Sequence, residues 1–376
     1  MRDVYFTGAA RTPMGGVQGV LADVDAPTLG GAAIKAALAG RSADEVLMGC
    51  VLPAGQGQAP ARQAAFAAGL GEGVPATTIN KMCGSGMKAA MLGFDQIALG
   101  AADTVVAGGM ESMSNATYLL PKMRGGARIG HQAVQDSMFL DGLEDAYDKG
   151  RLMGTFAEDC ADHYQFTRAA QDQYAIASLS NALAAERSGA FQAEITPVTV
   201  HARNGEDIIT TDEQPGRARP EKIPTLKPAF REGGTVTAAN ASSISDGSAA
   251  LVLSAAPDGA MARVLGHTTH AQAPGWFTTA PVTAAQKLLD RLGWTVADVD
   301  LWEVNEAFAV VPMAFMAELG VARDQINVNG GACALGHPIG ASGARITVTL
   351  LHALAARGGK RGIAAICIGG GEATVV

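Results

Sequence analysis

Residues 80–86 read Asn80-Lys81-Met82-Cys83-Gly84-Ser85-Gly86, and this stretch decides the fold. It joins a predicted strand to a predicted helix of small residues at 83–99. Its glycines leave room for another backbone or a substrate to come close. Cys83 stands at the start of that helix, where free backbone N–H groups and the helix dipole favour negative charge. We therefore expect a reactive thiol with a lowered pKa.

A similar helix start, Ala341-Ser342-Gly343, returns late in the chain. Short β-rich segments alternate with Ala-rich segments around both copies, which is typical of α/β layers. In the first part we predict strands at 4–8, 46–51, 104–107 (ending at Gly108-Gly109) and 251–254, and helices at 28–39, 59–68 and 83–99. The second part has predicted strands at 262–265, 300–304 and 363–368, and helices at 282–292, 306–319 and 339–356. An internal duplication of one α/β unit explains this order.

A polar region interrupts the alternation between the two halves. It contains one predicted amphipathic helix, Arg168–Ser188, with Thr167 as its N-cap. The proline-rich segment 215–228 predicts no long element. We therefore expect a first half at 1–116 plus 245–258, an inserted loop domain at 117–244, and a second half at 259–376.

The composition narrows the class of protein. Of the 376 residues, 48% are hydrophobic and 17% are charged, so a large buried core can form. The net charge of −8 argues against a nucleic-acid partner or an anionic membrane surface. No apolar run of transmembrane length and no targeting signal is recognisable. The five cysteines form no CxxC pair, which favours free thiols in a reducing compartment, and we expect a cytoplasmic protein.

Two further segments carry groups that a reactive thiol would need. Gly336-His337-Pro338 offers a base on a fixed backbone, and Cys367-Ile368-Gly369-Gly370-Gly371 offers a second thiol beside a glycine-rich bend. The plainer interpretations are two buried, inert cysteines and a loop histidine bonded to carbonyl groups. Since the two halves would bring these junctions together, we interpret the three segments as one site that forms and breaks thioesters.

Asn305 precedes the predicted helix at 306–319, where it is either an N-cap or the holder of a water molecule. We interpret the remaining histidines as structural or surface residues. His267 and His270 are not spaced with other metal ligands, so we predict no zinc site.

Taken together, these motifs resemble the thiolase family, which comprises acetyl-CoA acetyltransferases and 3-ketoacyl-CoA thiolases. The resemblance runs along essentially the whole chain and includes Arg11-Thr12-Pro13, Gly108-Gly109-Met110-Glu111-Ser112-Met113-Ser114, Asn240-Ala241-Ser242 and Asn305-Glu306-Ala307-Phe308-Ala309. It implies a duplicated five-layered α-β-α-β-α fold with a lid-like inserted loop domain. It also implies self-association as a homodimer or, in our expectation, a homotetramer.

The resemblance implies a role for each candidate residue. Cys83 would take the acyl group, His337 would activate Cys83, and Cys367 would move the α-proton of the second acetyl-CoA. His337 and a water held by Asn305 would form one oxyanion hole. The backbone N–H groups of Cys83 and Gly369 would form the other. The implied reaction is a reversible condensation of two acetyl-CoA molecules in lipid metabolism, with no permanently bound cofactor.

Coenzyme A carries phosphate charges, which an acidic protein must bind with a local basic patch. The insertion supplies a basic run of Arg217, Arg219, Lys222, Lys227 and Arg231. By the resemblance, Lys222 and Ser242 contact coenzyme A, Ala239 and Ala241 line the pantetheine channel, and Met153 and Phe277 line the acyl pocket. Without the resemblance, a short basic run is equally well explained as a solvated face.

Several positions depart from the common pattern of the family. Leu152 stands where many bacterial members have histidine, and Glu372 follows the last glycine where methionine or glutamine is more familiar. Phe277 stands where many biosynthetic members have methionine. At this position the chain resembles the branch of the family that accepts 2-methyl-branched acetoacetyl-CoA. In that branch, a potassium ion lies near a tyrosine and alanine carbonyl groups, which correspond here to Tyr174, Ala238, Ala239 and Ala241.

Three alternative functions remain open at this stage. A degradative 3-ketoacyl-CoA thiolase with a longer acyl pocket would have the same motifs. A ketoacyl-carrier-protein synthase would normally have a histidine at Asn305 or Cys367. A catalytically silent CoA-binding protein would have no need of all the reactive residues.

Overall fold

The computed structural model of the protein describes residues 1–202 and 205–376. The strands are β1 (Val4–Arg11), β2 (Gly15–Gly16), β3 (Glu45–Gly49), β4 (Ala76–Ile79), β5 (Thr104–Ser112), β6 (Tyr118–Leu119), β7 (Gln135–Asp136), β8 (Val198–Ala202), β9 (Gly205–Ile209), β10 (Ser245–Ser254), β11 (Ala262–Val264), β12 (Thr268–Ala271), β13 (Leu301–Val304), β14 (Gly362–Ile368) and β15 (Glu372–Val375). The helices are α1 (Ala26–Leu38), α2 (Pro60–Ala67), α3 (Ser85–Leu99), α4 (Met153–Tyr164), α5 (Arg168–Ser188), α6 (Glu213–Arg217), α7 (Ala280–Leu292), α8 (Val310–Leu319), α9 (Ala332–Leu335) and α10 (Ser342–Arg357). No helix within the described ranges combines the length and apolar character that crossing a bilayer requires.

Two mixed sheets share one strand order. The first sheet runs β11-β1-β10-β5-β3-β4, with β2 beside β10, and the second runs β12-β15-β14-β13. In the first, β10 is antiparallel to β1 and β5, and β3 is parallel to β5 and β4. The second repeats this with β15 antiparallel to β12 and β14, and β13 parallel to β14. The place of β4 is taken there by Ile326, which forms a parallel bridge with Trp302.

A matching aspartate in each half supports the predicted duplication. Asp44, just before β3, accepts hydrogen bonds from the backbone N–H groups of Asp103 and Thr104 at 2.8 and 2.9 Å. Asp300, just before β13, accepts the corresponding bonds from Lys360 and Arg361 at 2.7 and 2.9 Å. Each carboxylate thus satisfies the first free N–H groups of the neighbouring parallel strand.

Alternate residues of each sheet face different helices, which produces five layers. Val46 and Met48 pack against α1 and α2, whereas Leu47 packs toward α3 and α10. Ala365 packs against α7 and α8, whereas Ile366 packs against α3 and α10. The order is therefore α1/α2, first sheet, α3/α10, second sheet, α7/α8, as predicted.

The N-terminal ends of α3 and α10 touch in the central layer, and glycine makes this contact possible. A Cβ atom on Gly86 would lie 2.9 Å from the backbone nitrogen of Ala344, and one on Gly343 would lie 2.6 Å from that of Met87. Any side chain there would force the helices apart. The two similar helix starts found in the sequence therefore meet, together with the loops that precede them.

Several predicted elements differ in the structure. The strands expected at 4–8 and 251–254 are longer, since β1 extends to Arg11 and β10 begins at Ser245, and the helix expected at 339–356 begins at Ser342. The strand expected to end at Gly108-Gly109 continues to Ser112, because these glycines serve close packing: a Cβ on Gly109 would lie 2.0 Å from the carbonyl oxygen of Gly340. The helix expected at 306–319 begins only at Val310, since residues 307–309 bond in extended form to residues 240–242. The strand expected to open the second half, at 262–265, is β11, which pairs with β1 of the first sheet.

The inserted region contains the predicted helix at the predicted bounds. It is α5, and the Thr167 side chain accepts a hydrogen bond from the N–H of Ala170 at 3.1 Å, an N-cap of the kind that contributes about 1 kcal/mol. Segment 215–228 contains only short helical turns, as predicted. Helix α4 and the hairpins β6–β7 and β8–β9 were not predicted.

Candidate active site

Cys83 lies in a tight turn between β4 and α3. Met82 adopts a left-handed conformation with φ of 47°, and its N–H donates to Asn80 Oδ1 at 3.0 Å. Ser85 closes the turn, because its hydroxyl accepts from the N–H of Lys81 at 2.8 Å and donates to the carbonyl of Met82 at 2.6 Å. The helix begins at Ser85, so Cys83 precedes it by two residues. These local hydrogen bonds fix the position of the thiol at the interface between the two halves.

The expectation of a lowered Cys83 pKa is wrong. Burial raises the pKa of this thiol to about 11, although the N–H groups of Gly369 and of Cys83 itself point at the sulfur and oppose the shift. Removing the thiolate from water thus outweighs two N–H donors. Cys83 is a neutral thiol at neutral pH, and it needs a base to become a nucleophile.

His337 is a buried histidine with one bonded and one free ring nitrogen. Its Nδ1 lies 2.5 Å from the hydroxyl of Ser342, which itself donates to the carbonyl of Pro338 at 2.9 Å. Nδ1–H therefore donates to Ser342, and the lone pair lies on Nε2. Nε2 is buried with no hydrogen-bond partner among the described residues. Burial lowers the pKa of His337 to about 3, so the ring is neutral and its Nε2 is unprotonated at neutral pH.

The second thiol segment forms the hairpin between β14 and β15. Cys367 is fully buried near the end of β14, and Gly370 and Gly371 turn the chain with φ of 88° and 87°. Burial raises the pKa of Cys367 well above its ordinary value, and the negative charge of a Cys83 thiolate raises it further. The N–H of Gly369, two residues beyond Cys367, points at the sulfur of Cys83, so the two thiol segments contact each other.

Asn305 follows β13 and is buried. Its N–H donates to the carbonyl of Ala365 at 3.0 Å, but neither atom of its side-chain amide has a partner among the described residues. Because α8 begins at Val310, Asn305 is not a helix N-cap. A buried amide with both ends free can bind a water molecule or a substrate oxygen.

An ion pair links the two thiol segments, and sequence reasoning missed it. Lys81 Nζ contacts the carboxylate of Glu372, with 22% and 33% of these side chains exposed. Lys81 lies in the Cys83 turn, and Glu372 begins β15 just after the glycine hairpin. Glu372, which departs from the common pattern of the family, is therefore paired with Lys81 across the interface between the two halves.

Three of the basic residues line one cavity beside the site. Arg217, Arg219 and Lys222 lie around a cavity of about 300 Å³ together with Ala238, Ala239, Ser243 and Cys333. Arg217 is also paired with Glu213. Arg231 does not belong to this patch, because it is bound to Asp162 at 2.8 Å and also faces Glu158.

The remaining predicted contacts lie on two sides of the site. The Ser242 hydroxyl donates to the carbonyl of Ala307 at 2.9 Å, and Ala241 is buried next to this pair. Phe277 is buried, with edge-to-face contacts to Phe156 and Phe308, in the same apolar cluster as Cys367. Met153 begins α4, and a Cβ atom on Gly369 would lie 3.6 Å from its sulfur. Three aromatic rings and the second thiol therefore share one apolar cluster.

Comparisons with known proteins agree with this geometry. The profile described as "Thiolase, N-terminal domain" matches residues 4–256, and "Thiolase, C-terminal domain" matches residues 259–376. The chain is 49% identical to acetyl-CoA acetyltransferase 2 of Arabidopsis thaliana over 100% of this chain and 96% of that protein. It is 48% identical to the acetyl-CoA acetyltransferase of Pseudomonas aeruginosa over 99% of this chain and 98% of that protein. The crystal structure of the Bacillus anthracis acetyl-CoA acetyltransferase superposes with a TM-score of 0.96 at 39% identity, covering 100% of this chain and 98% of that one.

Proposed function

The chain belongs to the thiolase family and is an acyltransferase, and from this premise we propose how it works on acetyl-CoA. It joins two acetyl-CoA molecules into acetoacetyl-CoA and free coenzyme A, reversibly, with the acyl group held on Cys83 between the two steps. The observation that carries this proposal is the contact between the two thiol segments: the Gly369 N–H points at the Cys83 sulfur, and a Cβ atom on Gly84 would lie 2.3 Å from Cδ1 of Ile368. Covalent storage replaces a three-body encounter by two ordered steps.

His337 activates the first thiol. Its free Nε2 takes the proton of Cys83 as the sulfur attacks the thioester carbon of acetyl-CoA, and the proton then goes to the departing sulfur of coenzyme A. The tautomer fixed by Ser342 and Pro338 supports this role, because the lone pair is on the unbonded nitrogen. The N–H groups of Cys83 and Gly369 would hold the oxyanion, since they already point at the sulfur.

Cys367 moves the proton of the second step. In thiolysis, Cys83 attacks the keto carbon of acetoacetyl-CoA, the carbon–carbon bond breaks, and the neutral Cys367 thiol protonates the departing enolate carbon. Condensation is the reverse, in which Cys367 recovers that proton. A raised pKa suits this exchange, because the α-carbon of a thioester is itself a weak acid. Asn305, with a bound water and His337, would hold the enolate oxygen.

The preferred chain length is tested by thiolysis. We propose that Phe277, packed against Phe156 and Phe308, limits the length of the acyl pocket. We therefore expect acetoacetyl-CoA to be cleaved with a kcat/KM at least about tenfold above that of 3-ketooctanoyl-CoA. Initial rates of coenzyme A-dependent cleavage give the kcat/KM of each substrate. Equal values would instead favour a degradative 3-ketoacyl-CoA thiolase. Absence of cleavage with both substrates would favour a silent CoA-binding protein.

The cavity with Arg217, Arg219 and Lys222 is the proposed site for the phosphates of coenzyme A. Lys222 has no ion-pair partner among the described residues, which leaves its charge available. Ser242, Ala239 and Ala241 would contact the pantetheine arm, and Met153 and Phe277 the acyl group.

A potassium ion is proposed near Ala238, Ala239 and Ala241. Within the described ranges, the carbonyl oxygens of these alanines accept no hydrogen bond, and such oxygens suit a hard cation. The Tyr174 hydroxyl donates to Glu306 at 3.0 Å, so it would contribute only its remaining lone pair. We expect a higher melting temperature and kcat in potassium chloride than in tetramethylammonium chloride at equal ionic strength. Identical values in both salts would rule the ion out.

Self-association and a reducing location complete the proposal. Exposed apolar side chains between β5 and α4, which include Tyr118, Ile129 and Tyr147, would favour contact with other copies, and a homotetramer is proposed. Sedimentation as a monomer would contradict it. All five cysteines are free, which supports a reducing, cytoplasmic location. Localisation to an oxidising compartment would contradict this. A role in lipid metabolism is proposed from the acetyl-CoA reaction alone.

A further inference from the structure

Glu111 is a fully buried carboxylate to which the proposed reaction assigns no role. It lies near the end of β5, where its oxygens accept three backbone hydrogen bonds. The N–H groups of Val51 and Leu52 donate at 2.9 and 3.1 Å, and that of Gly340 donates at 2.8 Å. Val51 and Leu52 follow β3 of the first half, and Gly340 belongs to the second. One carboxylate therefore joins the two halves.

The backbone of Gly340 is fixed on both sides. Its N–H meets Glu111, and its carbonyl oxygen enters a space left by three glycines of the first half. A Cβ atom on Gly49, Gly86 or Gly109 would lie 2.7, 3.1 or 2.0 Å from that oxygen. A Cβ on Gly340 itself would lie 2.5 Å from Glu111 Oε2. The peptide thus has a single position, which only glycine permits at all four places.

The same loop carries the proposed base. His337 and Gly340 are three residues apart, and Ser342, which bonds Nδ1 of His337, begins α10 just beyond. Ile339, between them, packs with Val51, Leu52 and Cys83 in one apolar cluster. A movement of the Gly340 peptide would therefore displace His337 relative to Cys83.

We propose that Glu111 is a positioning residue, whose ionised carboxylate holds the Gly340 peptide and thereby aligns His337 with Cys83. The inference rests on the proposed function of these two residues. When Glu111 is protonated, one oxygen becomes a donor and faces N–H groups that are donors themselves. The hydrogen bond from the Gly340 N–H to Glu111 then weakens, and acyl transfer slows.

The other titratable groups around Glu111 stay neutral or bonded near pH 7. Cys50 lies 3.6 Å from Oε1 with a pKa raised by burial, and Cys83 has a pKa of about 11. His337, in the loop that Glu111 holds, has a pKa of about 3. Asp246 on β10 bonds Ser114 instead. Burial raises the pKa of Glu111 itself to about 7. An acidic limb of the rate is thus expected near pH 7. Burial also raises the pKa of Glu303, the partner of Arg345, to about 8, so loss of the limb in Glu111→Gln is the result that assigns it to Glu111.

The test compares the wild type with Glu111→Gln. For the wild type, we expect kcat/KM to fall about tenfold per pH unit below about pH 7. The Glu111→Gln variant should have a kcat at least about tenfold lower, a nearly unchanged KM and no acidic limb. Asp246→Asn, which removes a buried carboxylate on the neighbouring strand, should keep the limb. An acidic limb retained by Glu111→Gln would overturn the proposal.

A second readout does not depend on turnover. In protein labelled at histidine, the His337 ring resonance of the wild type should shift with a midpoint near pH 7, although His337 itself does not protonate there. A resonance that stays constant between about pH 6 and 8 would overturn the proposal even if Glu111→Gln does not fold. Absence of acyl transfer by the wild type at every pH would contradict the proposed function, and the resonance would still decide the role of Glu111.

Discussion

Replacing Cys83 by alanine is expected to lower kcat by on the order of 10⁴-fold or more, because the acyl group then has no sulfur to bind. The alanine fits the turn, since the bonds made by Ser85 and Asn80 do not involve the thiol. Folding should therefore be preserved. Acetoacetyl-CoA formation and thiolysis measure the loss, and the melting temperature measures the fold.

Labelling provides the control for this variant. Iodoacetamide should modify Cys83 in the wild type, and acetyl-CoA should block the modification. The labelled peptide must be mapped, because Cys333 lines the cavity proposed for coenzyme A. A Cys83→Ala variant with more than about 1% of wild-type turnover would show that another group carries the acyl chain.

Replacing Cys367 by alanine is expected to separate the two half-reactions. Acetyl-CoA should still acetylate Cys83, whereas condensation should slow by on the order of 10³-fold, since the proton acceptor for the α-carbon is missing. The mass of the intact protein after mixing with acetyl-CoA reports the first step, and acetoacetyl-CoA release reports the second. The lost packing of a buried sulfur should reduce the free energy of unfolding by about 1 kcal/mol.

Cys367→Ser is the matched variant for packing. Its hydroxyl nearly restores the volume of the thiol but is a much weaker acid, so condensation should remain slow. Recovery of condensation in Cys367→Ser would mean that alanine acts by leaving a cavity. Loss of Cys83 acetylation in Cys367→Ala would mean that the two thiols do not divide the steps as proposed.

The duplicated layers could be predicted because their signals are local. The alternation of segments and the repeated Ser-Gly helix starts depend on residues close in the chain, and α5 has its cap in Thr167. The segment after Asn305 could not be predicted, because its bonds to residues 240–242 come from a distant part of the chain. Gly108-Gly109 likewise suggested the end of a strand, since the sequence does not show the carbonyl of Gly340 that lies against them.

In the candidate site, too, local features could be predicted, whereas contacts between distant segments could not. Cys83, His337 and Cys367 could be selected from their residue types and neighbouring glycines. The direction of the Cys83 pKa could not be predicted, because it depends on how much protein surrounds the sulfur. The bond from Ser342 to His337, the Lys81–Glu372 ion pair and the three bonds to Glu111 join segments whose distances appear only after folding.

The contact between the starts of α3 and α10 has a consequence for the origin of the enzyme. Counted back from Ser85 and Ser342, Cys83 and Gly340 occupy equivalent places in the two copies. A symmetric pair of identical subunits would present the same residue at both places, either two nucleophiles or none. Gly340 has no room for a side chain in this structure, so the two places need different residues. A single chain that contains both copies meets this need, with a thiol in one copy and glycine in the other.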